Sequence, residues 1–117
     1  MTYIDGFVAA VKTADKEAYR AHCQLMGGVF KEYGALDVID TWGDDVPEGK
    51  LTSFTMAVKR EPTETVVFSW ITWPSRVARD EGWKAAMADP RMQPGVPPMP
   101  FDGKRMIFGG FEVISDV

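Results

Sequence analysis

Residues 65–73 read TVVFSWITW, and the fold turns on what this run does with its two sides. β-Branched and aromatic residues, with no Gly or Pro among them, make it the clearest strand in the chain. Successive side chains of a strand alternate across it, so Val66, Phe68 and Trp70 point one way while Val67, Ile71 and Trp73 point the other. Both sides are apolar. A sheet with one wet face alternates apolar with polar residues, so this strand predicts cover on both faces.

The flanking sequence supplies partners. Residues 3–12, YIDGFVAAVK, hold β-branched and aromatic residues without a helical stripe and predict a first strand. Thr13 to Asp15 offer a capping side chain, and 16–33 carries Tyr19, Cys23, Met26, Phe30 and Tyr33 at intervals of three or four, the stripe of a helix. Gly34 is placed to end it, while Gly27 and Gly28 inside it predict close packing. Residues 35–43 predict a second strand, followed by a turn-rich loop and a short helix around 53–59. Ser75 is a good N-cap for a second long helix over 76–88. Residues 89–103 hold five of the eight prolines and predict a stiff, irregular loop before a last strand at 105–114. The order β-α-β-β-α-β is that of an α+β, ferredoxin-like sandwich, a four-stranded antiparallel sheet with two helices on one face.

Two helices shield one face only. The first strand has Ile4 and Val8 opposing Phe7 and Val11, and the last has Met106 and Phe108 opposing Ile107, Phe111 and Val113. The uncovered face would leave on the order of eight large apolar side chains wet, each worth roughly 1.5–3 kcal/mol on burial. A second copy packing sheet to sheet is the economical cover and predicts a homodimer. The Pro-rich segment folding back over the strand ends is the alternative.

The 117 residues have room for one domain with a single core, residues 1–117. Lys plus Arg number 13 against 17 for Asp plus Glu, a net charge of −4 that disfavours nucleic acid. One cysteine, Cys23, forbids an internal disulfide and points to a reducing compartment. With neither a signal peptide nor a membrane-length apolar run, the expectation is a soluble cytoplasmic protein.

The segments YIDGFV, FKEYGALDVIDTWGDDVPEGK, ETVVFSWITWPS, ADPRM and MPFDGKRMIFGGFE together resemble the YbaA-like family of small, uncharacterised bacterial proteins, over nearly the whole chain. The resemblance implies a dimeric α/β barrel in which two ferredoxin-like sheets close on each other. It supplies no reaction; the wider fold includes cofactor-independent oxygenases, haem-degrading enzymes and small isomerases, and fold is a weak guide to chemistry.

An RNA reading rests on residues 104–114, KRMIFGGFEVI, and fails. The basic-Gly-aromatic opening of an RNA-recognition strand is missing, and Phe108 and Phe111, three apart, face opposite sides of a strand. Stacking two bases needs both rings on one surface.

Candidate sites are sparse. Asp37, Asp40, Asp44, Asp45 and Glu48 cluster but match no calcium loop, so no metal is expected. His22, the only histidine, could serve as a general base but reads rather as a surface or edge residue, and Cys23 reads as core. Gly109-Gly110 marks a bulge or a close backbone approach rather than a nucleotide loop. Asp5, Asp40, Ser69 and Glu112 are polar residues set among apolar ones in four separate strands. A carboxylate facing a dry interior accepts a substrate proton, which makes Asp5, Asp40 and Glu112 the candidate catalytic groups. Trp42, Ser69, Trp70 and Trp73 would line a pocket between sheet and partner, with Arg91 and Arg105 taking an anionic group. The competing account pairs each acid with Lys104, Arg105 or Arg91 near a strand end. The functions left are a small-molecule binder or enzyme, such as a cofactor-free oxygenase or isomerase, and a non-catalytic dimeric structural or regulatory module. No cofactor is expected.

Overall fold

A computed structural model of the chain describes residues 2–92 and 99–117. Strands β1 (Tyr3–Lys12), β2 (Asp37–Asp40), β3 (Glu64–Trp73) and β4 (Ile107–Glu112) form one antiparallel sheet in the order β2-β3-β1-β4. Helices α1 (Lys16–Glu32) and α3 (Arg76–Met87) pack on one face of it. The topology is the ferredoxin-like sandwich that the order of elements implied. A one-turn helix α2 (Phe54–Ala57) sits in the long β2–β3 connection.

Local chemistry sets the ends. Gly34, at φ 110°, takes the left-handed conformation that closes α1. Ser75 caps α3 by accepting from the Ala78 N–H at 3.1 Å. Thr13 to Asp15 instead form a 3-10 turn, and Asp15 makes no side-chain cap to α1. The turn is pinned by the Thr13 and Thr65 hydroxyls, 2.7 Å apart.

The second and last strands are shorter than expected. β2 pairs regularly over four residues only, yet the N–H groups of Leu36, Thr41 and Gly43 still reach carbonyls of Thr72, Phe68 and Val66 on β3. The extended run 35–43 therefore stays beside β3 after the ladder loses its regularity. At the other edge Arg105 belongs to a turn closed on the Asp102 carbonyl, which delays β4 to Ile107. Of the Pro-rich loop, Pro90–Met92 form a 3-10 turn, and residues 93–98 lie outside the described residues.

Pairing fixes which side chains share a face. Opposite Tyr3, Asp5, Phe7 and Ala9 of β1 stand Trp73, Ile71, Ser69 and Val67 of β3, all on the helix side. Tyr3, Ile71 and Trp73 make the main core with Val29 and Phe30 of α1 and Ala86 of α3. Gly110 permits the edge to close, because the Tyr3 ring and hydroxyl occupy the place its Cβ would take.

The other face is half covered. Val8, Ala10 and Val66 are buried under Val58, just after α2, and Phe54 of α2 meets Phe68 ring edge to face. The cover comes from the β2–β3 connection. Beyond it Ile39, Ile107 and Phe111 remain exposed, Phe111 at 61%. Register also separates Phe108, opposite Phe7, from Phe111, opposite Ile4, on the two faces of β4.

Candidate functional site

Two polar centres interrupt the apolar helix side of the sheet. The first is Asp5 near the start of β1, whose side chain is 4% exposed. It accepts from the indole N–H of Trp73 at 2.9 Å and of Trp83 at 2.7 Å, and pairs with the Arg79 guanidinium at 2.8 Å. Arg79 Nε adds a further bond at 3.0 Å, so both carboxylate oxygens are engaged. This hydrogen-bonded ion pair holds the guanidinium protonated, its pKa pushed above the usual arginine value. The centre ties β1 to β3 and α3.

The second centre borders a cavity of about 430 Å³ between the sheet and α1. Its floor is Phe7, Ala9, Val67, Ser69 and Ile71, and its helix wall runs from Tyr19 to Phe30. Met99, Phe101 and Met106, from the segment before β4, form another side. The space exists because the floor is built from small residues where it faces α1: Ala9 on β1 and Ser69 on β3 lie under the helix. Gly27 lets α1 lean on Val38, so the helix meets β2 closely and stands off the central strands.

Polar groups from α1, β2 and β3 line this cavity. The Tyr19 and Ser69 hydroxyls are 3.4 Å apart, a long contact that leaves both with capacity for a better partner. Burial pushes the Tyr19 phenol well above its usual pKa, so it stays a donor. Burial, reinforced by the nearby Asp40 charge, pushes the Cys23 thiol up to about 12. A thiol so protonated is no nucleophile at neutral pH. Burial lowers the pKa of His22, with Asp40 opposing, which keeps the half-buried imidazole neutral at physiological pH. Among the described residues, His22 Nδ1 is the one buried side-chain N or O atom with no hydrogen-bond partner.

The residues singled out in the sequence separate on this geometry. Asp40, Ser69 and Arg91 line the cavity, with Asp40 exposed at its rim. Arg91 is held by Asp89 at 2.8 Å and Glu32 at 2.6 Å, tying the turn after α3 to the end of α1. Trp42 stands beside the cavity, its ring 6.2 Å from that of Tyr19. Asp5 belongs to the first centre, and Trp73 is wholly buried in the core. Trp70 lies on the opposite face, next to Phe68. Glu112 is exposed on edge strand β4, and Arg105 makes a two-pronged pair with Glu64 at 2.7 Å on each arm. The deep cavity lies within one chain, under α1, whereas the pocket was expected between sheet and partner. A shallower apolar hollow edged by Phe68, Trp70 and Phe111 occupies the face reserved for that partner.

Sequence reasoning set His22 aside as a surface or edge residue and passed over Tyr19 and the pair Arg79–Trp83. For His22 a signal was present: Tyr19, His22, Met26 and Phe30 are spaced three and four apart, so the histidine belongs to the inward stripe.

Residues 2–103 match the family model described as a protein of unknown function, DUF1428. The uncharacterized protein YbaA of Escherichia coli K12 is 53% identical over 116 residues, covering 99% of both chains, and its Shigella flexneri counterpart matches equally. Among solved structures, a dimeric ferredoxin-like protein from an uncultured marine organism superposes with a TM-score of 0.62 at 13% identity over the full length of both chains. A putative antibiotic biosynthesis monooxygenase from Bacillus cereus gives 0.58 at 15% identity, covering 99% of this chain and 96% of its own. At such identities the likeness shows the fold alone.

Proposed function

The chain belongs to the DUF1428 family, and from its geometry we propose that it is a homodimeric cytoplasmic protein that binds a small, mostly apolar, enolisable or phenolic molecule in the cavity under α1. One observation carries the reading. A cavity of about 430 Å³, large enough for a small aromatic molecule, has apolar walls and a cluster of under-used polar groups at one end. There the Tyr19 phenol donates, neutral His22 accepts, and Asp40 at the rim favours the imidazolium once it forms. Such a site is suited to removing a proton from a bound enol or phenol. The anion left behind either regains its proton at another carbon, an isomerisation, or gives electrons to dioxygen as co-substrate, an oxygenation. Neither route needs a resident cofactor. Among the three strand carboxylates, Asp40 is the one placed to assist.

The dimer rests on the half-covered face, where Ile39, Phe68, Ile107 and Phe111 are 39–61% exposed in one chain. Sedimentation of the wild-type chain should give a dimer, and Phe111→Asp should give a folded monomer. A wild-type monomer at micromolar concentration overturns that half of the proposal. The ligand half is tested by thermal shift against a panel of phenols, enols and aromatic acids. A true ligand at about a hundred times its Kd adds about 2.7 kcal/mol of stability. That gain should vanish in Met26→Trp, which fills the cavity, and weaken in His22→Gln. A panel with no response, or with responses untouched by Met26→Trp, removes the cavity from consideration.

A further inference from the structure

A second concavity opens beside the first, between the flank of α1 and the run from Val38 to Trp42. The two share Tyr19, Cys23, Gly27 and Asp40, so they meet at the polar end of the cavity. Its helix side carries Lys16, Arg20 and Lys31 at spacings that keep them on one flank. Lys16 extends its ammonium over the Trp42 ring, 5.5 Å from the centroid, and Trp42 forms the opposite bank. Among the described residues, neither Lys16 nor Lys31 takes part in an ion pair. Arg20 has one, to Glu17 at 3.5 Å, with both side chains largely in water. Asp40 is the one carboxylate lining this groove.

The charge here runs against the rest of the molecule. The chain carries −4 overall, yet this groove sets three cations against one acid at the mouth of its apolar cavity. The basic residues that pack elsewhere are already matched: Arg79 by Asp5, Arg91 by Asp89 and Glu32, Arg105 by Glu64. Cations that outnumber their acidic partners at the rim of a low-dielectric hollow attract an anion and orient it as it enters.

We infer that the ligand is an amphiphilic organic acid, with its apolar body in the cavity under α1 and its oxyanion held in the groove by Lys16 and Arg20, one helical turn apart. The inference rests on the cavity being a ligand site and adds the class of molecule it selects. It also gives an order to the site. The anionic end lies outermost, the junction at Tyr19 and Asp40 comes next, and the apolar remainder lies against Phe7, Phe30 and Met106.

Two fluorescent probes with almost the same body test it: anilinonaphthalene sulfonate, which is anionic, and phenylnaphthylamine, which is neutral. On the wild-type dimer at low salt the anionic probe should bind about tenfold more tightly than the neutral one. The double variant Lys16→Gln, Arg20→Gln, whose changes lie on an exposed helix flank, should erase that preference and leave the neutral probe unaffected. Raising salt to about 0.5 M should weaken the anionic probe alone. Met26→Trp should weaken both. If the neutral probe binds in a Met26→Trp-sensitive way and the anionic one is not favoured, this inference falls while the cavity reading stands. If both bind regardless of Met26→Trp, they sit on the open sheet face, and both readings fall together. An anionic preference that survives the Lys16→Gln, Arg20→Gln variant also overturns the inference.

Discussion

Asp5 and Asp40 project from the same face of one sheet, two strands apart, and live in opposite circumstances. Asp5 is buried and takes bonds from two indoles and a guanidinium. Asp40 is exposed at a cavity rim, near a neutral imidazole with an unpartnered nitrogen and a phenol in a long contact. A carboxylate whose acceptor sites are all filled holds structure together. One with open valence beside under-used donors is free to meet a ligand. The contrast is between saturation and its lack, and it holds for residues the sequence presents in the same way.

The sharpest way to break the contrast is to remove each acid. Asp5→Leu strands the Arg79 charge and two indole N–H groups, and should cost about 3–5 kcal/mol in urea unfolding. Asp40→Asn, on an exposed side chain, should stay within about 0.5 kcal/mol of wild type while changing ligand affinity. Similar losses from the two variants would end the distinction. An intermediate case is Glu64, whose buried carboxylate the Arg105 guanidinium holds down to a pKa of about 2. Arg105→Gln should cost about 1.5–3 kcal/mol at neutral pH. The sign follows from linkage: the folded pKa lies below the ordinary 4.5, so the pair's contribution is present above that value and fades as pH falls toward 2. In acid the variant and wild type should therefore converge; a constant gap down to the acid limit would show that the loss is one of packing.

Much of the fold was legible because apolar patterning on strands is a direct record of burial. TVVFSWITW announces two covered faces, and Ser75 and Gly34 mark helix ends by backbone chemistry that belongs to those residues alone. What hid the site is that satisfaction of a polar group is a property of three dimensions. Asp5, Asp40 and Glu112 look alike on their strands, and no spacing reveals that Arg79 and Trp83, seventy-odd residues on, close around the first. The partial cover of the second sheet face by its own chain was missed for a similar reason. The polar turn run 44–50 gives little sign that the residues just beyond it return across β1 and β3.

The smallest expected effect discriminates most finely. His22 loses no hydrogen bond at Nδ1 on substitution, since none is made there, and its side chain is only partly buried. His22→Gln should therefore change stability at pH 7.5 by no more than about 0.5 kcal/mol. The difference should appear in the slope with pH. Burial lowers the folded imidazole's pKa below the ordinary 6.5, so the unfolded chain binds a proton first as the solution is acidified. Wild-type stability then falls as pH drops through 6.5 and stops falling once the folded ring is protonated too. His22 is the chain's only histidine, so the variant should lack that component altogether. Paired urea titrations across this interval read it directly. Equal slopes for the two proteins would mean that the imidazole is charged in the folded state much as it is in water. An imidazole that titrates as it does in water is not desolvated, and the dry surroundings on which the ligand site depends would be lost with that result.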